Sequence, residues 1–138
     1  MESNNPKGTF RTLHVNNSLT KQKEEFKPIN GNKVRWYYCG PTVYDEAHLG
    51  HAKTYIQQDT IWRILRDYFK FDVEAIMNIT DVDDKIIKKA NAEGKEFTEI
   101  SWRFEESFLK DMEALNVEMP SVLTRVSEYI PEIIDFIK

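Results

Sequence analysis

Two short apolar runs, each bounded by polar or turn-forming residues, stand out in the first half of the chain. Residues 34–39 and 71–79 are rich in β-branched and aromatic side chains, which predicts two strands. Residues 30–32 (Asn-Gly-Asn) predict the turn before the first strand, and Gly40 with Pro41 predicts its end. The centre of the second run, residues 75–77, is continuously apolar, which is typical of a strand covered on both faces.

Longer segments in which apolar residues recur every three or four positions predict helices. They cover residues 48–69, 80–94, 98–115 and the end of the chain from about 128. One face of the first helix carries Ile61, Ile64, Leu65 and Tyr68. The inward positions of the third are expected to be Ile100, Phe104, Phe108, Met112 and Leu115. Gly94 is the expected stop of the second helix, and Pro120 breaks the chain before the last.

The order of these elements predicts an α/β fold. A strand, a helix and a second strand with a short return indicate a right-handed crossover and a parallel sheet. Two strands are too few for a stable α/β domain, and the chain ends within a predicted helix. We therefore expect residues 1–15 to form a flexible tail and residues 16–138 to form the amino-terminal half of a larger domain.

Composition narrows the class of protein only a little. Hydrophobic residues make up 41% and charged residues 30% of the chain, as in ordinary soluble domains. A net charge of −4 provides no global basic field for nucleic acid, although a larger protein can carry its basic surface elsewhere. The single cysteine, Cys39, excludes an intrachain disulfide and fits a reducing compartment. With no secretory signal or membrane-spanning run in the sequence, we expect a cytoplasmic protein without a membrane partner.

The clearest candidate chemistry lies where the first strand passes through a Gly/Pro loop into the first helix. In open α/β sheets ligands bind at this edge, and a helix N-terminus presents free N–H groups that suit phosphate. His48 and His51 share one face of the helix, and Gly50 between them allows a nucleotide to approach the backbone. Two imidazoles can stabilise charge on a leaving pyrophosphate. The alternative is that the histidines only cap the helix.

These residues carry a resemblance to a known family. Residues 48–51 (His-Leu-Gly-His) resemble the His-Ile-Gly-His signature of class I aminoacyl-tRNA synthetases. Residues 38–45 and 77–88 are similar to two longer motifs of the cysteinyl-tRNA synthetase branch, and residues 17–26 resemble its opening segment. The resemblance covers the chain from about residue 16 to its end.

The resemblance implies a Rossmann-like (HUP-type) parallel sheet with flanking helices, and an activity with assigned residues. Members activate cysteine with ATP, which gives cysteinyl-adenylate and releases pyrophosphate, and then transfer the cysteinyl group to tRNA(Cys); Mg²⁺ accompanies the ATP. His48 and His51 would be the catalytic residues, and Gly40 and Thr80 would contact the bound cysteine. The implied ATP-binding residues are Pro41, Thr42, Tyr44, His48, Gly50 and His51. A further family element matches Lys85, Ile86, Ile87 and Lys88.

Cys39 resembles the first ligand of the family's zinc site, which selects cysteine because zinc prefers a thiolate to a hydroxyl. Taken alone, a single cysteine is more often a small buried hydrophobe. No other cysteine follows, and the family's Lys-Met-Ser-Lys-Ser loop and anticodon-binding domain are absent from the sequence. We therefore expect the remaining zinc ligands outside this chain, and neither firm zinc binding nor adenylation by the chain alone.

Three interpretations stay open at the level of the sequence. Asp81, Asp83 and Asp84 could hold a metal, but capping of a helix by Thr80 or Asp81 is the better explanation. The activity could instead be that of a cysteine ligase of thiol-cofactor (mycothiol-type) biosynthesis, which shares the active site. The chain could also be a non-catalytic binding module derived from a synthetase. Nothing in the sequence predicts an oligomeric state.

Overall fold

The computed structural model describes residues 12–138. Residues 1–11 of the predicted tail therefore lie outside the described residues. An antiparallel hairpin opens the described part, with β1 (His14–Asn17) paired to β2 (Gln22–Glu25). The sequence pattern of residues 12–29 shows no helical period, and these residues form no helix. His14 and Val15, which the prediction assigned to the tail, belong to β1.

A parallel sheet of three strands forms the centre of the fold. Its order is β3 (Lys33–Thr42), β4 (Asp72–Thr80) and β5 (Val122–Arg125). Both strand pairs are parallel, which confirms the predicted α/β class. No sequence pattern predicts β5, because a four-residue strand is too short to show a period of its own and is defined by its pairing with β4.

The predicted end of β3 at Gly40 and Pro41 is wrong. The strand continues to Thr42 through a register shift, so that Cys39 lies opposite Asn78 and Thr42 lies opposite Thr80. Three residues of β3 therefore advance against two of β4, as in a β-bulge. The bulge admits Pro41, which has no N–H to donate to the ladder, without ending the strand.

The described part of the chain contains four α-helices, which lie between and after the strands of the parallel sheet. They are α1 (Leu49–Arg63), which continues into one π-helical turn (Ile64–Tyr68), α2 (Asp84–Glu93), α3 (Phe97–Ala114) and α4 (Ile130–Ile137). A 3₁₀ turn (Val126–Tyr129) precedes α4, so the last helix begins slightly later than predicted. No helix among residues 12–138 combines the length and apolar character needed to cross a membrane.

Within residues 12–138, helices cover one face of the sheet and leave the other uncovered. On the covered side, Val73, Ala75, Met77 and Ile79 of β4 are buried. They contribute to two core clusters, whose largest partners include Tyr55, Trp62, Ile100, Phe104, Phe108 and Met112. On the other side, Tyr37 and Cys39 are exposed and Asn78 is half-buried. The prediction that β4 is covered on both faces is therefore wrong for the described part of the chain.

The helix predictions need three corrections. First, α2 begins at Asp84 rather than at Thr80, because Thr80 completes β4 and Asp83 supplies the cap. Second, α1 buries Tyr55 and Trp62, while Ile61, Ile64 and Tyr68 of the predicted face are exposed. Third, Leu115 follows the last turn of α3 and is 40% exposed, whereas the other four predicted inward residues of that helix are buried. Gly94 ends α2 in a left-handed conformation (φ 65°), as predicted.

Candidate active site

The two histidines form a reciprocal cap at the start of α1. His48 is the N-cap residue, and its Nδ1 accepts a hydrogen bond from the N–H of Gly50 at 3.0 Å. In return, Nδ1 of His51 accepts from the N–H of His48 at 3.2 Å. The rings stack with centroids 4.1 Å apart. The capping alternative is therefore correct as a structural description, and it leaves other atoms of both rings available for chemistry.

This cap determines the tautomer of both rings. Because each Nδ1 accepts a hydrogen bond, the proton of each neutral ring resides on Nε2. Burial and the neighbouring His48 lower the pKa of His51, which favours the neutral form. The helix tip therefore presents two Nε2–H donors, while the backbone N–H groups of His48 and Gly50 are already used in the cap. This set of donors suits an anionic ligand.

Packing against the His48 ring explains why position 50 is a glycine. A Cβ at this position would lie 2.7 Å from Cε1 of the His48 ring, closer than real Cβ atoms approach such a neighbour. The absence of a side chain therefore makes room for the capping imidazole. Access of a nucleotide to the backbone at Gly50 would be a second, separate reason for a glycine at this position.

The loop that leads to His48 is held by α2 and α3. Nζ of Lys85 lies 4.9 Å from the ring centroid of Tyr44, within the range of a cation–π contact. Nζ of Lys89 lies 3.1 Å from Oδ1 of Asp45. Three consecutive loop residues are tied in this way, since the hydroxyl of Ser107 donates to the carboxylate of Glu46.

The four residues 85–88, predicted as one family element, lie in different surroundings in the structure. Lys85 faces the loop and Ile86 is fully buried, whereas Ile87 and Lys88 are exposed. Lys89 was missed by the sequence analysis, although its position four residues after Lys85 places both lysines on one helix face. The remaining nucleotide-site predictions lie beside the bulge: Pro41 is buried, and Thr42 and Tyr44 are half-buried.

Gly40 marks a close approach between β3 and β4. A Cβ on Gly40 would overlap the carbonyl oxygen of Asn78 on the neighbouring strand. The Gly40 N–H donates to Oδ1 of Asn78 at 3.3 Å, and Nδ2 of Asn78 donates to Oγ1 of Thr80 at 3.5 Å. The structure thus brings together Gly40 and Thr80, the two predicted contacts of the amino acid. Asn78, the residue that joins them, had been given no role.

Cys39 lies on the uncovered face and is exposed, so the interpretation as a buried hydrophobe is wrong. Burial and the adjacent Cys39 raise the pKa of the Tyr37 hydroxyl, which lies on the same face. On the α1 side, the Tyr55 hydroxyl donates to the carbonyl oxygen of Cys39 at 3.4 Å. Cys39 thus lies near the end of β3 that leads to the histidine-capped helix, and Tyr55 bridges α1 to that strand.

The aspartates after β4 serve the backbone. Asp83 accepts from the N–H of Lys85 at 2.9 Å, which is the N-cap of α2. Asp81 is 4% exposed and accepts from both the N–H and the hydroxyl of Ser127, so it holds the turn before α4 rather than α2. No three His, Cys, Asp or Glu side chains within residues 12–138 are grouped to hold a metal ion. Capping thus explains Asp83, and Cys39 stands as a single accessible donor.

A parallel sheet whose strand end leads to a helix beginning at His-Leu-Gly-His fits the Rossmann-like fold of a class I synthetase catalytic domain. The sequence family described as tRNA synthetases class I (C) catalytic domain matches residues 25–138. The chain therefore belongs to this family, the cysteine branch of the class I synthetases.

Similar proteins come from eukaryotes and archaea. Cysteine–tRNA ligase of Encephalitozoon cuniculi is 48% identical over 128 residues, which cover 93% of this chain and 27% of the relative. The cytoplasmic cysteine–tRNA ligase of Dictyostelium discoideum is 47% identical over 96% of this chain and 21% of its own length. Cysteine–tRNA ligase of Pyrococcus horikoshii is 51% identical over 92% of this chain and 26% of its own length. The chain thus spans about a quarter of the length of these curated relatives.

Proposed function

We propose that this chain is part of a cysteine–tRNA ligase, which activates L-cysteine with ATP and transfers the cysteinyl group to tRNA(Cys). The observation that carries the proposal is the reciprocal cap, which leaves two Nε2–H donors at the N-terminus of α1. Support also comes from the names of the relatives and from the family match over residues 25–138. A cytoplasmic location fits the same proposal.

In this function the tip of α1 binds the phosphates of ATP. Nε2–H of His48 and of His51 would donate to phosphate oxygens, and their bonds would strengthen as negative charge develops on the leaving pyrophosphate. Because the cap already holds both rings, little ordering remains for the moment of reaction. Thr42, Tyr44 and Gly50 would line this part of the site, with Pro41 shaping the strand behind it, and Mg²⁺ would accompany the ATP.

The amino acid would bind on the uncovered face of the sheet, next to Gly40 and Thr80. A metal such as Zn²⁺ prefers a thiolate and would distinguish cysteine from serine by chemistry rather than by size. Cys39 fits the role of one soft ligand, because its thiol is accessible on this face. No three His, Cys, Asp or Glu side chains within residues 12–138 are grouped as a ligand set, and the other donors would come from the rest of the full-length protein.

The decisive experiment is ATP–pyrophosphate exchange by the full-length protein. We expect exchange that depends on cysteine and is not supported by serine, followed by cysteinylation of tRNA(Cys). Exchange followed by transfer to an amino sugar, with no transfer to tRNA, would favour the thiol-cofactor ligase instead. Absence of cysteine-dependent exchange by folded, zinc-supplied protein would leave the non-catalytic binding module.

A further inference from the structure

The side-chain amide of Asn78 lies at the centre of a hydrogen-bond network on the uncovered face of the sheet. Its Oδ1 accepts from the Tyr37 hydroxyl at 2.8 Å and from the Gly40 N–H at 3.3 Å. Its Nδ2 donates to Oγ1 of Thr80 at 3.5 Å. The network thus connects a side chain beside Cys39 with both residues proposed to contact the amino acid.

The orientation of this amide follows from its partners. The backbone N–H of Gly40 can only donate, so the atom that faces it must be the amide oxygen. The amide nitrogen is consequently directed to Thr80. Since Oγ1 of Thr80 receives that hydrogen bond, the hydroxyl proton of Thr80 points elsewhere and remains free to donate.

We propose that Asn78 is a positioning residue that prepares this face for the amino-acid substrate. It holds the Thr80 hydroxyl as a donor toward a ligand that carries an acceptor, such as the carboxylate of an α-amino acid. It also holds the backbone at Gly40, where β3 approaches β4 too closely for any side chain. This inference rests on the proposed function, and it concerns affinity for the amino acid rather than for ATP.

The test compares Michaelis constants for both substrates in the full-length protein. Asn78→Ala should raise KM for cysteine about tenfold, as expected when one polar contact loses its orientation, and leave KM for ATP within about twofold. Asn78→Asp has the same shape but draws the Thr80 proton to itself, so it should also raise KM for cysteine. The matched control is Ile76→Val, on the same strand and face, which should change neither constant.

A second variant tests the network without disturbing the fold. Tyr37 is 60% exposed, so Tyr37→Phe should fold normally while removing the hydroxyl that donates to Asn78. We expect a smaller rise in KM for cysteine, about threefold. In the double variant Tyr37→Phe with Asn78→Ala, removal of the hydroxyl should raise KM by less than that factor, because both changes act on the same network. A role limited to stability would lower the unfolding midpoint and the apparent kcat, and would leave both Michaelis constants unchanged.

The outcomes separate this inference from the proposed function. Unchanged KM for cysteine in Asn78→Asp and Tyr37→Phe, or equal changes for cysteine and ATP, would overturn the positioning role. These two variants decide the matter if Asn78→Ala does not fold. Absence of cysteine-dependent exchange in the unsubstituted protein would instead remove the proposed function, and the inference with it.

Discussion

Nζ of Lys89 on α2 lies 3.1 Å from Oδ1 of Asp45, three residues before the histidine that caps α1. The pair connects the helix after β4 with the loop after β3. Together with Lys85 on Tyr44 and Ser107 on Glu46, it fixes the path of the chain into His48. The position of the helix tip therefore depends on residues distant in sequence.

Lys89→Met should make the position of the N-terminus of α1 less fixed without unfolding the protein. We expect kcat/KM for ATP to fall about threefold to tenfold, since small misplacements of catalytic groups are costly. The Lys89 hydrogen bond lowers the pKa of Asp45, so this carboxylate stays ionised through the neutral range and is protonated only in acid. Lys88→Met, at the exposed neighbouring lysine, is the control. Equal exchange rates in both variants would contradict the role of the pair.

The variant His48→Asn should separate the capping role of His48 from its proposed role in catalysis. An asparagine side chain caps a helix at least as well as histidine, whereas alanine cannot accept the hydrogen bond from Gly50. We expect His48→Ala to lose about 1 kcal/mol of stability relative to His48→Asn. Both variants should lose at least about a hundredfold in exchange rate, because both lack the Nε2–H donor. Urea unfolding and exchange assays measure the two effects, and an active His48→Asn would refute the phosphate role.

Acid should weaken the cap at His51. Its pKa is lowered in the folded protein, chiefly by burial, so folding favours the neutral ring. A lowered pKa contributes stability that is fully present above the unfolded value of about 6.5 and is lost as the pH falls through the folded value. His51→Asn keeps an acceptor but does not titrate. The stability of the wild type relative to this variant should therefore decline between pH 7.5 and pH 5, as measured by urea midpoints, and a constant difference would contradict this account.

The ion pair of Arg125 with Glu105 fastens β5 to α3. Nε of Arg125 lies 3.1 and 3.0 Å from the two carboxylate oxygens of Glu105, which is 5% exposed. Arg125→Met leaves this carboxylate buried without its partner and should cost about 3 kcal/mol of stability. The double variant Glu105→Leu with Arg125→Met should recover most of that loss. A double variant no more stable than Arg125→Met would show that shape rather than charge governs the contact.

Local patterns predicted some parts of the site and not others. The spacing of His48 and His51 placed both on one helix face, and the glycine at position 94 marked the end of α2, because each depends only on neighbouring residues. The strand β5 and the role of Asn78 depend on pairing between distant segments, which no local period reveals. Thr80 was assigned to a helix because hydroxyl residues favour helix caps, yet pairing with Thr42 keeps it in the sheet.

The bulge between Cys39 and Thr42 has a consequence for insertions and deletions. Side chains of a strand alternate between faces, and removing one residue between Cys39 and Thr42 would give two residues against two and keep Thr42 opposite Thr80. Val43, 1% exposed, would then stay in the core, whereas removing a second residue would turn it toward water. The length of this segment therefore decides on which side of the sheet the chain continues toward its histidines, and it tolerates the loss of one residue but not of two.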